Sequence, residues 1–184
     1  MSNRVVEMYR QHQLVSALNN GRYKGRVYKN DKNIFDLEGE SISDVQVKLR
    51  DYVDNLFDSE AASRKQATTD EMLTAFRNIL PKLNDNYLAM IRAHYHAPDR
   101  RITATLLAAA AGYDGYGSAN LHYGKIGSFL YEAIPMDIPK REGGKPIYTY
   151  MLADAAEKIG SEEHWVWQMR HEVAGAIQAL GLDK

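Results

Sequence analysis

The sequence predicts an α+β protein, mainly α. A helix–β-hairpin–helix unit spans residues 1–58. A helix-turn-helix-like domain with a small two-stranded element near its end spans 68–184. Three observations predict this. Apolar residues recur at helical spacing over most of the chain. Two short strand-like runs flank a polar loop at 29–33. A glycine-containing turn at 112–117 joins two stretches rich in small residues, as closely crossing helices require.

In the first unit, Val5, Val6, Met8, Tyr9, His12, Val15 and Leu18 predict a helix that Gly21 stops. Residues 23–28 and 34–37 predict two strands, joined through Lys29-Asn30-Asp31-Lys32-Asn33. Ser43 and Gln46 have capping-box spacing ahead of Val45, Leu49, Tyr52, Val53 and Leu56. Nothing in this unit points to chemistry, so an adaptor or dimerisation role is expected. Residues 59–68 lack large apolar side chains and form the candidate boundary, although their composition also suits a continued exposed helix.

Beyond it, Thr68 and Glu71 predict a capped helix that Pro81 ends. Residues 87–95 predict another, stopped by Pro98. Residues 147–151 and 164–169 look like strands, with a short helical turn over 153–159 between them. A last helix carries Val173, Ala176, Ile177 and Leu180 and stops at Gly181.

Composition narrows the function. The 184 residues include 23 Lys plus Arg against 24 Asp plus Glu, a formal charge of −1. Binding to nucleic acid by bulk positive charge is therefore excluded, while a local basic face is not. There is no cysteine, hence no disulfide framework, thiolate metal site or cysteine nucleophile. No apolar run is long enough for a membrane helix. The first thirteen residues lack the apolar core of a secretory signal, so a cytoplasmic protein is expected.

One constellation carries functional information. Thr103 is placed to cap a short helix that Gly112 ends, and Ser118 is placed to cap a second. In the second helix Ala119, Tyr123, Ile126, Leu130 and Ala133 follow core spacing. Asn120, His122, Lys125 and Ser128 are left to face outward, as short polar or basic groups suited to base edges and phosphates. Arg100 and Arg101 precede the first helix, where a phosphate backbone would lie. From Arg77 to Arg141 there are eight basic residues against five acidic ones. The expected DNA-binding set is Arg100, Arg101, Ser118, Asn120, His122, Lys125 and Ser128, with double-stranded DNA as partner and no cofactor or metal.

The runs at 93–104, 112–113 and 119–127 (AHYHAPDRRITA, GY and ANLHYGKIG) resemble a helical module found beside HNH nuclease domains in McrA-like restriction endonucleases of bacteria and phages. The ending WVWQMRHEVAGAIQALG at 165–181 resembles the tail of the same module, with His171 where proline is usual. The resemblance implies a part in engaging DNA while a neighbouring nuclease cuts. No HNH cluster of histidines and acids is present, nor a PD-(D/E)xK pattern, so the chain resembles the module without its nuclease and no enzymatic activity is expected. The expected function is a DNA-binding accessory or regulatory protein in a phage or bacterial defence setting. The alternative is a phage-encoded inhibitor that binds a host defence protein. A homodimer is compatible with either.

Other features carry less. His94, His96 and Asp99 suggest a metal site only if Pro98 breaks the helix. Otherwise His94 is a solvated or capping residue near a helix C-terminus. Gly112, Gly115 and Gly117 lack the Lys-Ser/Thr ending of a phosphate loop. Tyrosines at helical spacing read as half-buried core rather than base-stacking platforms. Trp165 and Trp167, on one face of a strand, read as a hydrophobic anchor.

Overall fold

A computed structural model describes residues 4–159 and 164–184. The chain divides into two compact units, Met1–Ser63 and Arg64–Lys184. Among the described residues no helix is long and apolar enough to cross a membrane.

The first unit corrects the expected fold class. It is not helix–hairpin–helix but a four-stranded antiparallel sheet followed by one helix. The strands β1 (Arg4–Tyr9), β2 (His12–Asn19), β3 (Arg22–Lys29) and β4 (Lys32–Gly39) lie side by side in sequence order. Each hairpin turns through two residues: Arg10-Gln11, Asn20-Gly21 and Asn30-Asp31. All six turn residues have positive φ, from 44° to 75°. This is the conformation whose twist matches that of the flanking strands. The expected first helix is thus two strands. Its apolar residues fit a 3.6 spacing, but the chain folds on a period of two whose buried set includes His12 and Ser16. Gly21, expected as a helix stop, is the second residue of a hairpin turn.

Helix α1 (Ile42–Ala62) covers one face of this sheet and buries Val45, Leu49 and Val53 against Leu14 and Val27. Ser41, rather than Ser43, caps it by accepting from the Asp44 amide at 3.0 Å. A Cβ on Gly25 would overlap Val45, so glycine there lets the helix sit close to β3. The Arg50 guanidinium donates to Glu7, and the Tyr9 hydroxyl donates to Asp54, tying β1 to α1.

In the second unit, α2 (Thr69–Ile79) has the expected Thr68–Glu71 capping box and stops before Pro81. Then follow α3 (Asp85–His96), β5 (Arg101–Thr103), α4 (Ala104–Ala110) and α5 (Tyr116–Tyr131). After a long connection come β6 (Ala153–Ile159), β7 (His164–Met169) and α6 (His171–Leu180). The expected two-stranded element is a three-stranded sheet in the order β5-β7-β6. Its third strand is Arg101–Thr103, which pairs with Val166–Gln168. Residues 153–159 are a strand rather than a helical turn, because pairing with β7 overrides the helix preference of Ala, Glu and Lys. Residues 148–151 form a 3₁₀ turn rather than a strand. That turn lies against α5 at Gly127, where any Cβ would overlap the Tyr148 carbonyl. One core, including Met72, Phe76, Met90, Ile126, Leu130, Val173 and Ile177, joins the helices of this unit.

Candidate nucleic-acid interface

Helices α4 and α5 follow one another across a short turn at residues 111–115. The Thr103 hydroxyl accepts from the Leu106 amide at 3.3 Å and caps α4. At its other end Gly112 has φ 72°. The Gly112 amide donates to the Ala109 carbonyl, and the Tyr113 amide donates to the Ala108 carbonyl. This paired closure satisfies the last carbonyls and sends the chain sharply into the turn. Gly115 is the N-cap of α5 and supplies no side-chain cap. Ser118, expected as the cap, lies inside the first turn and is half-buried.

The inward face of α5 is as expected. Ala119, Tyr123, Ile126 and Leu130 are buried, and Ala133 is partly buried against the same core. The outward set is not a single face. At 3.6 residues per turn, Asn120 and His122 project about 160° apart. Asn120 is exposed. His122 is half-buried, stacked on Tyr113 with ring centroids 4.5 Å apart, and also lies near Tyr87. Lys125 is exposed, its Nζ 4.9 Å from the centre of the Phe129 ring, with Lys82 on the same ring at 5.1 Å. The Ser128 hydroxyl donates back to the Lys125 carbonyl at 2.8 Å.

The exposed surface of α5 runs from its amino-terminal end to just past its middle: Tyr116, Gly117, Asn120, Leu121 and Lys125. Leu121 is 70% exposed and Tyr116 55%. Neither was in the expected set, because apolar residues are assigned to a core by default. The sign in the sequence is that Leu121 lies opposite the Ala119–Tyr123–Ile126–Leu130 stripe.

Arg100 and Arg101 are held by unusual backbone. Asp99 and Arg100 both have positive φ, 50° and 56°, a conformation that costs non-glycine residues energy. Gln168 Nε2 donates to the Asp99 carbonyl at 2.8 Å, while Gln168 Oε1 accepts from Arg101 Nε at 2.8 Å. The Arg100 guanidinium lies over the Tyr95 ring at 5.2 Å.

Beneath this segment lies His94, fully buried rather than solvated or capping. Its Nε2 is 2.9 Å from the Trp167 carbonyl and 3.1 Å from the Arg100 carbonyl. Nε2 must therefore carry the proton, and Nδ1 accepts from the Tyr123 hydroxyl. Burial pulls the His94 pKa down to about 4 against the pull of the two carbonyls, so the ring is neutral at neutral pH. Both ring nitrogens are engaged, and His96 Nε2 lies 2.6 Å from the Asp183 carbonyl. Among the described residues no group of three or more histidines and acids is placed to hold a metal ion.

A second basic feature precedes the 3₁₀ turn that packs on α5. Residues 139–147 form a tight hairpin closed by Ile147 N–H to the Pro139 carbonyl and by Arg141 N–H to the Lys145 carbonyl. Gly143 and Gly144 turn it with φ 87° and 83°. Lys140, Arg141 and Lys145 are all exposed. The hairpin ends one residue before Tyr148, whose carbonyl lies against Gly127 of α5. In the sequence Lys140 and Arg141 enter only the basic count of residues 77–141, and nothing there shows that they share a hairpin with Lys145.

Trp167 is buried, edge-on to Tyr150 at 5.5 Å, and anchors β7 to the 3₁₀ turn. Trp165, two residues earlier, is 43% exposed. Compared with protein-family models, curated proteins and solved structures, the chain has no match in any of the three.

Proposed function

We propose that the chain binds double-stranded DNA without catalysis, as an accessory or regulatory protein, and that the amino-terminal half of α5 enters the major groove. The observation that supports this reading is the asymmetry of α5. Its inward face is locked in the core, while Tyr116, Gly117, Asn120, Leu121 and Lys125 face solvent at the end that begins the helix. In helix-turn-helix proteins this is the end that reaches base edges. Asn120 suits an adenine edge, and Leu121 suits a thymine methyl group. The open N-terminus of α5 has backbone N–H groups to offer a phosphate. Arg101, Lys125 and the Lys140–Lys145 hairpin would supply the remaining phosphate contacts. In this reading His122 and Ser128 serve the fold, and Arg100 supports Arg101. The phage or bacterial defence setting rests only on the resemblance of residues 93–127 and 165–181 to the nuclease-associated module.

A second reading has its own observation. Between Ile102 and Tyr131 the only charged residues are Asp114 and Lys125. Leu106, Tyr116 and Leu121 in the same stretch are more than half exposed. A sparsely charged, partly apolar surface suits a protein partner, as the inhibitor alternative requires.

Titrating a fluorescent duplex with the intact chain at two salt concentrations separates the readings. The DNA reading expects binding that weakens with salt at a log–log slope of about −0.9 per phosphate neutralised. No binding at low salt, with capture of a single host protein instead, would shift the assignment to the inhibitor.

A further inference from the structure

We propose that the chain forms a homodimer by antiparallel pairing of β1 with the β1 strand of a second copy, about a two-fold axis through Val6. This inference is independent of the DNA reading.

The sheet has two edges, and they differ. Edge strand β4 carries Lys32, Asp36 and Glu38, and its pairing with β3 is broken by a register shift at Val27/Tyr28. Charges and irregular register are the usual protection of an edge against further pairing. Edge strand β1 has neither protection at its middle. Its register with β2 is regular from Arg4 to Tyr9. Val6 and Met8 are 49% and 68% exposed on the sheet face away from α1. The only acid of β1, Glu7, is on the other face and is held by Arg50. Among the described residues the core cluster of this 63-residue unit is small: five buried residues with a few partly buried neighbours, with Phe57 and Ala61 also buried on α1. Domains of this size commonly gain stability by oligomerising.

The register follows from charge and length. In an antiparallel pair of identical strands, opposed residues share a face. Centring on Glu7 would set Glu7 opposite its own copy. Among the described residues, centring on Val5 would overlap only 4–6. Centring on Val6 overlaps residues 4–8 and opposes no like charges. The row through the axis then runs Val15, Val6, Val6 of the second copy, Val15 of the second copy, since Val6 pairs with Val15 within each sheet. Beyond it on either side stands Arg26, already paired with Asp36 at 2.9 Å. An apolar centre with a charge-satisfied rim is self-complementary.

The absence of cysteine from the chain makes the test clean. Sedimentation of the intact chain should give twice the 20.8 kDa chain mass. A monomer at concentrations up to about 100 µM, where most specific dimers form, would overturn the proposal. Val6→Lys and Val6→Asp should each be monomeric, and an equimolar mixture should dimerise, because like charges oppose at the axis and unlike charges pair. A mixture that stays monomeric, or either variant dimeric alone, would overturn it. Val6→Cys should cross-link on mild oxidation, because residues opposed at the axis have Cα atoms about 4.5–5.5 Å apart, within disulfide reach. Met8→Cys should not, since its two copies would lie about 14 Å apart. If a charged variant loses its fold, the contrast between these two cysteines decides: equal cross-linking, or none at Val6, contradicts the register.

Discussion

The Nδ1 of His94 lies 2.7 Å from the Tyr123 hydroxyl, with both side chains buried. That contact joins α3 to the middle of α5. Through Nε2 the same ring reaches the Arg100 and Trp167 carbonyls. One neutral imidazole thus sets the position of the candidate recognition helix relative to the arginine segment and to β7.

This arrangement makes stability pH-dependent. The His94 pKa is about 4 in the folded chain, against about 6.5 for a free histidine. Above pH 6.5 both states are neutral and the group contributes no pH dependence. As pH falls below 6.5 the unfolded chain takes up a proton that the folded chain refuses, so stability is lost until about pH 4. Between pH 8 and pH 5 the loss is about 2 kcal/mol from this group. Urea unfolding at the two pH values checks this: His94→Gln should be less stable than the wild type at pH 8 but lose about 2 kcal/mol less on acidification. An equal loss in both proteins would contradict the buried neutral ring.

Glycines on α5 divide by what faces them. Gly127→Ala should destabilise the second unit by roughly 1–3 kcal/mol, because the added methyl displaces the Tyr148 carbonyl. Gly117→Ala meets nothing within 4 Å and should stabilise it by roughly 0.5–1 kcal/mol, the ordinary gain of alanine over glycine in a helix. Thermal melts of the two variants should shift in opposite directions.

Much of the second unit was legible in the sequence, because its helices carry their own punctuation. Thr68 with Glu71, Thr103, Gly112 and Gly181 mark ends that the structure keeps. The first unit was not legible over residues 4–19. Its turn at Arg10-Gln11 uses positive φ without glycine or asparagine, and the buried face of β2 alternates through His12 and Ser16. Nor could spacing show that Arg101–Thr103 pairs with β7, since sheet pairing is non-local. At the candidate interface the sequence placed Asn120 and Lys125 outward correctly. It could not show that His122 is clamped by Tyr113, because that contact depends on how the turn folds back.

The hairpin turns offer a check on the four-stranded sheet. Asp31 has φ 61° and is exposed. Asp31→Gly would give the Asn-Gly pair this turn type favours and should stabilise the first unit by about 0.5–1 kcal/mol. A destabilised variant, seen as an earlier urea midpoint, would contradict the turn assignment.

In the proposed function the exposed start of α5 meets DNA. Its most direct measurement is the duplex affinity of Asn120→Ala, Lys125→Ala and Arg101→Ala beside that of the wild type, at two salt concentrations and with melting temperatures recorded. Lys125→Ala and Arg101→Ala should each weaken binding on every duplex and flatten the log–log salt slope by about one unit. Asn120→Ala should cost about 1–3 kcal/mol on the preferred sequence and less on others. None should lower the melting temperature appreciably. Wild-type affinity in all three variants would contradict the proposed DNA contact and leave α4 and α5 as scaffold.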